Sequence, residues 1–263
     1  MKSQVLTGLL AATATVASVF TANASYAFNL KQSNPNLYNT FYSYVNGERN
    51  ELTDAAQHKL DAGSLVATGD SFDIVFMTEG ATYINDLFYS ENGGALKLGM
   101  DNIASNDTAL ASFNSSYNSY NGHRELGEGL TYQTQKGNVL DFFLKSFQWW
   151  KGDGSDYNLK NLFGAEGAAG ANTDGLQHLV AYDYFDGKDS WTLLGFEDIA
   201  GAKDPNNPWG TSDRDFNDAF FAIRGVTRGT TPPPATVPEP GVTLALVGIA
   251  GGYIASRRRQ AAK

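Results

Sequence analysis

Side chains that offer oxygen crowd one stretch of the chain. Gly195-Phe196-Glu197-Asp198 is followed, across a loop from Ile199 to Thr211, by Ser212-Asp213-Arg214-Asp215-Phe216-Asn217-Asp218. Asp213, Asp215 and Asn217 alternate, so in an extended segment their oxygens point the same way. Calcium takes about six to eight oxygen ligands at roughly 2.3–2.6 Å, drawn from carboxylates, amide carbonyls and backbone. Asp213, Asp215 and Asn217 offer such groups, and Asp218, Glu197 or Asp198 would close the shell across a hairpin. Asp183, Asp186 and Asp189 stand in reserve on a neighbouring turn. The loop is not an EF-hand, because Asp218 stands where that loop needs glycine and Arg224 where it needs its closing glutamate. The competing interpretation is turn-forming and capping residues on a solvated rim, with Arg214 pairing an acid.

Other chemistries find less support. Hydrolysis needs a nucleophile beside a base, or a poised acid and base. His58, His123 and His178 stand far apart in unrelated sequence, there is no cysteine, and neither a nucleophile elbow nor a His-Glu zinc helix occurs. Paired carboxylates serve glycosidases, yet here the acids gather in one Asp- and Asn-rich loop better suited to a cation. The sequence therefore predicts a non-catalytic protein. The alternative is a carbohydrate-binding module, with a glycoside-active enzyme behind it. Trp149, Trp150 and Trp191 suit core packing, whereas Trp209 lies in Asn206-Asn207-Pro208-Trp209-Gly210 beside the acidic motif and is the candidate sugar contact.

The elements that must carry these residues read as short strands. Phe72, Ile74 and Phe76 alternate from Ser71, and Ala81-Thr82-Tyr83-Ile84 resumes after the turn Glu79-Gly80. Further strands are predicted over 178–182, 190–196 and 218–223, the last two flanking the acidic loop. Leu37, Phe41, Tyr44 and Val45, and then Leu52, Ala55, Ala56 and Leu60, recur at helical spacing. Val139, Leu140, Phe143, Phe147 and Trp150 share a helical face, which predicts a helix over 136–151, although aromatic density also suits a strand. Residues 101–135 read as loops and short edge strands, and 152–175 as a surface loop. The expected fold is mainly β: a single β-sandwich, jelly-roll-like, with one or two short helices.

Both ends differ from the middle. Lys2, an uncharged stretch through Phe20, and small residues at Ser25-Tyr26-Ala27 predict a removable signal peptide over 1–27, cut after Ala27 or alternatively after Ala24. At the other end an uncharged run from Gly241 to Ala255 precedes Arg257-Arg258-Arg259. Fifteen helical residues cover about 22 Å, a marginal span of a hydrocarbon core of about 30 Å. The expected organisation is thus a signal peptide, a helical or irregular extension over 28–65, a β-rich module over 66–226, a Thr/Pro-rich linker over 227–236, and a sorting signal over 237–263 with a transmembrane segment at 241–255. Residues 28–240 carry 14 basic against 28 acidic residues, a surface that repels nucleic acid and favours cations.

Two resemblances attach to these residues. Pro238-Glu239-Pro240, the apolar run after Gly241 and the cluster Arg257 to Arg259 resemble the PEP-CTERM sorting tail of Gram-negative bacteria. That implies signal peptidase and an exosortase-type protease as processing partners, transient inner-membrane insertion, and export to the cell surface or medium, with contact to exopolysaccharide of a biofilm matrix. Leu194-Gly195-Phe196-Glu197-Asp198 with Ser212 through Phe221, and more loosely Phe72 through Ala81 with Tyr83 and Asn85, are similar to the domain of unknown function 4114 over roughly residues 66–225. That resemblance implies a β-rich domain often found beside calcium-associated modules. It strengthens calcium as the expected cofactor and carries no established activity.

Overall fold

The computed structural model describes residues 20–21, 26–45, 52, 54–80, 84–103, 124–147, 162–204, 206 and 212–229. All elements below belong to the compact unit Met1–Arg228. Among the described residues the strands form a 7-stranded and a 6-stranded sheet. The first runs in the order β1 (Phe20–Thr21), β6 (Lys97–Ile103), β5 (Ile84–Glu91), β8 (Val139–Phe147), β3 (Leu65–Ala67) and β13 (Val226–Arg228), with β9 (Leu162–Gly164) also on β8. The second runs β10 (Leu179–Phe185), β11 (Ser190–Phe196), β12 (Ala219–Arg224), β4 (Ser71–Glu79), β7 (Glu128–Gln133) and β2 (Tyr26–Asn29). The module is mainly β with two sheets, consistent with a sandwich.

Aromatic rings join the sheets. Phe72 of β4 lies 5.1 Å from the Tyr89 ring of β5, 5.5 Å from Tyr132 of β7 and 6.0 Å from Phe142 of β8. Such pairs add about 0.5–1.5 kcal/mol each beyond the apolar area they bury. The outer face of the second sheet is covered as well. Helix α1 (Pro35–Tyr42) starts with proline in its first turn, where the missing N–H costs nothing, and the Asn34 side chain accepts a hydrogen bond from Leu37 N. It places Phe41 5.1 Å from the Trp191 ring and 5.2 Å from Tyr184, while Tyr38 Oη donates to Met77 O at 2.9 Å. Covered on both faces, β4 is buried from Phe72 to Glu79 and β12 from Ala219 to Ile223, so neither shows the alternation of a half-exposed strand.

Three expectations need correction. Within the predicted helix over 136–151, Val139–Phe147 is strand β8, paired with β5 from Glu91↔Leu140 to Ile84↔Phe147, and 148–151 lie outside the described residues. Phe142 and Phe143 point to opposite faces, and each enters an apolar cluster, which a one-sided helix would not allow. Among the described residues from Leu52 to Leu60 the helical element is a 3-10 turn at Ala55–Gln57, and Lys59 forms an isolated bridge to Val180. The third correction concerns the membrane helix. No helix among the described residues is long and apolar enough to cross a membrane, and the expected segment 241–255 lies outside them. A run of that length is also short of the roughly 20 residues a span needs.

Candidate metal centre

Strands β11 and β12 pair antiparallel, their register ending at Phe196↔Ala219. The next residues outward, Glu197-Asp198 on one strand and Asp218 on the other, are therefore brought face to face. Asp198 N donates to Asp218 Oδ2 at 2.8 Å, and the Glu197 carboxyl is hydrogen bonded to Ser212 and Asp218. One carboxylate oxygen each from Glu197, Asp213 and Asp218 lies within 4.8 Å of the others. Two oxygens held on one ion by bonds of about 2.3–2.6 Å can stand no further apart than about 5 Å, so these three can share a metal ion.

The preceding loop folds differently from the extended segment expected of it. Arg214 and Phe216 adopt left-handed backbone at φ 60° and 63°, a conformation that costs a non-glycine residue about 1–3 kcal/mol unless its surroundings enforce it. Here they do. Ser212 Oγ accepts from Arg214 N at 3.2 Å, Asp215 Oδ1 from Asn217 N at 3.1 Å, and Asp215 O from Leu52 N at 3.0 Å. The Arg214 guanidinium sits 5.1 Å over the Phe216 ring and donates to Gln177 O. Gly195 admits the loop, because a Cβ there would stand 2.6 Å from Phe216 O. Asp213 and Asp218 thus turn toward Glu197, while Asp215 and Asn217 brace the loop.

The site's electrostatics are unbalanced. Glu197 is 1% exposed, Asp198 3%, Asp215 1% and Asp218 8%. Among the described residues no lysine or arginine forms an ion pair with Glu197, Asp198, Asp213 or Asp218. Burial first, and then the charge of Asp198, pushes the Glu197 pKa up to about 8. Burial first, and then Asp213 and Asp215, pushes Asp198 up to about 7 despite hydrogen bonds from Asn85 and Asp218. Asp218 is raised too, by burial and by its carboxylate neighbours. Glu197 Oε2 and Asn217 Nδ2 are buried without a hydrogen-bond partner. Glu197, Asp198, Asp213 and Asp218, with no lysine or arginine paired to them among the described residues and one oxygen unsatisfied, either hold protons or hold a cation.

The reserve acids serve elsewhere. Asp186 caps its own turn through Lys188 N and Asp189 N and accepts from Trp191 Nε1 at 2.9 Å; Asp189 and Asp183 pair with Arg224 and Arg228. Two supports escape sequence reasoning. His178, fully buried, contacts Glu197 O through Nδ1 at 3.2 Å and Asp174 Oδ2 through Nε2 at 2.9 Å, and stacks on Phe163. Asn85 of β5 donates from Nδ2 to Asp198 Oδ2 at 2.9 Å. No spacing rule links either to the acidic loop, since both reach it through tertiary packing. The candidate sugar contact Trp209 lies outside the described residues.

Residues 134–226 match the family model described as Domain of unknown function (DUF4114). The chain carries a DUF4114 domain region. That region holds β8 through β12 and the whole acidic motif, and it is shorter than the expected span of 66–225: β1 to β7, which belong to the same two sheets, lie before it. No curated protein matches the chain.

The match stops before Pro238-Glu239-Pro240 and Arg257 to Arg259, so the sorting-tail resemblance gains no support from it. Residues 230–263 and 1–19 lie outside the described residues. A cut after Ala27 would divide β2, whose Ala27 and Phe28 pair with Leu130 and Gly129 of β7. Signal peptidase and exosortase-type processing, inner-membrane insertion, a cell-surface or extracellular location and contact with exopolysaccharide all rested on the two ends, and none of these findings supports them.

Proposed function

We propose that the protein is a non-catalytic, β-rich module that calcium fastens at the β11/β12 end, with Glu197, Asp213 and Asp218 as carboxylate ligands and Asp198 beside them. One observation carries this reading: carboxylates from two chain segments, Glu197 and Asp218 buried and Asp213 half-buried, converge with no lysine or arginine paired to them among the described residues and leave Glu197 Oε2 without a hydrogen-bond partner. The donors favour a hard cation. All are oxygens, the chain has no cysteine, and both ring nitrogens of His178 already face acceptors, so the nitrogen and sulfur ligands of a zinc site are missing. Magnesium dehydrates reluctantly and keeps several waters, whereas calcium accepts an irregular shell rich in carboxylates. Calorimetric titration of the full chain with calcium, with magnesium in parallel, tests the assignment. Saturable uptake of calcium in preference to magnesium is expected, and no uptake of either would overturn it.

A further inference from the structure

We propose that the cation centre is a clasp between the two sheets, in which Asn85 of the opposite sheet supplies an oxygen ligand and orients Asp198. This rests on the calcium reading above.

The acidic residues of the centre all follow β11 or precede β12, in the 6-stranded sheet. Asn85 comes from β5 in the 7-stranded sheet and pairs in register with Ser146 of β8. Its side chain is fully buried, 0% exposed, yet β strands rarely place an amide where apolar residues fill the space between sheets. Nδ2 is committed to Asp198 Oδ2 at 2.9 Å, and Asp198 N in turn holds Asp218 Oδ2 at 2.8 Å. This leaves Asn85 Oδ1 buried with no partner. A buried amide oxygen left unpaired is costly, and one covalent bond angle separates it from the nitrogen already bound into the carboxylate cluster. An amide carbonyl is a calcium ligand in its own right, so a cation among these acids satisfies Oδ1 and ties β5 to the ends of β11 and β12. Asn85 also lies outside the stretch 134–226 that matches the family model, so the domain region by itself lacks this ligand.

The test is calcium titration of the full chain, followed by hydrogen exchange of the β5 amides with and without calcium, in the natural protein, Asn85→Leu, Asn85→Asp and Asp218→Asn. Asn85→Leu is expected to weaken calcium binding about tenfold or more and to abolish the calcium-dependent slowing of exchange at Leu87 to Tyr89. Asn85→Asp keeps an oxygen: it should lower the melting temperature without calcium and show a larger calcium-dependent rise than the natural protein. That variant keeps the test decisive if Asn85→Leu does not fold. An Asn85→Asp protein that calcium cannot rescue would show that Asn85 merely donates a hydrogen bond to Asp198, and would overturn the clasp while leaving the calcium centre standing. Failure of the natural protein to take up calcium would overturn the calcium reading itself, a result read from that arm alone.

Discussion

Asp218 is penalised in one state and used in the other, and this gives it an unusual predicted behaviour. Buried beside Asp198, Glu197 and Asp215, its carboxyl destabilises the cation-free fold whether it stays ionised or takes up a proton, whereas its oxygen helps hold the ion. Asp218→Asn should therefore raise the melting temperature in chelator, where it removes a carboxyl that must be buried ionised or take up a proton on folding, and abolish the rise that calcium causes; melting curves in chelator and in calcium check both signs. The same acids set a pH dependence. Glu197 and Asp198, raised to about 8 and about 7 in the fold, bind more protons folded than unfolded, where carboxylates titrate near 4. Their contribution to stability without cation is then most favourable at acid pH, declines as pH rises from about 4, and reaches its floor above about 8. Calcium holds the carboxylates ionised, so the stabilisation it provides should grow from pH 5 to pH 8. Melting temperatures across that range, with and without calcium, should diverge; parallel curves would count against cation binding by these groups.

Elements turn such residues into a site, and they explain what could be read in advance. Strand β11 was legible residue for residue, because Trp191-Thr192-Leu193-Leu194 is bounded by turn chemistry on both sides. The acidic motif was legible as composition, but its geometry was not. Alternation of Asp213, Asp215 and Asn217 implies an extended segment, whereas the left-handed backbone at Arg214 and Phe216 is held by bonds within the loop, by Leu52 N on Asp215 O and by close approach to Gly195, contacts that alternation does not announce. Strand β8 was hidden for a related reason: burial on both faces erases the period of two on which strand reading depends. Gly195 gives this a test. Its added methyl would meet Phe216 O at 2.6 Å and Leu52 Cδ1 at 2.7 Å, both in packed surroundings. Gly195→Ala should cost about 1–3 kcal/mol by overpacking and also weaken calcium uptake by displacing the loop, as chemical denaturation and calcium titration of one variant would show. Phe41→Ala, on the helix that covers the other face of the sheet, should cost about 3–5 kcal/mol without changing calcium affinity.

At the scale of the molecule, calcium must be separated from mere screening of charge. The chain carries a formal net charge of -9, and any salt relieves the self-repulsion of such a surface. A cation bound at one place acts differently, since it stabilises only the state that assembles the site. With calcium at about one hundred times its dissociation constant the folded state gains about 2.7 kcal/mol, which for a chain of this size is a rise of roughly 5–10 °C in melting temperature. Potassium chloride at equal ionic strength should raise the melting temperature of the natural protein and of Asp218→Asn by similar, smaller amounts. Calcium should add its further increment to the natural protein alone. The comparison isolates the contribution of the β11/β12 end, because both proteins keep the same fold and nearly the same surface charge. If calcium and potassium chloride prove interchangeable in the natural protein, the acids at that end are proton carriers in a packed loop, and the fold rests on its two aromatic-lined sheets without help from an ion.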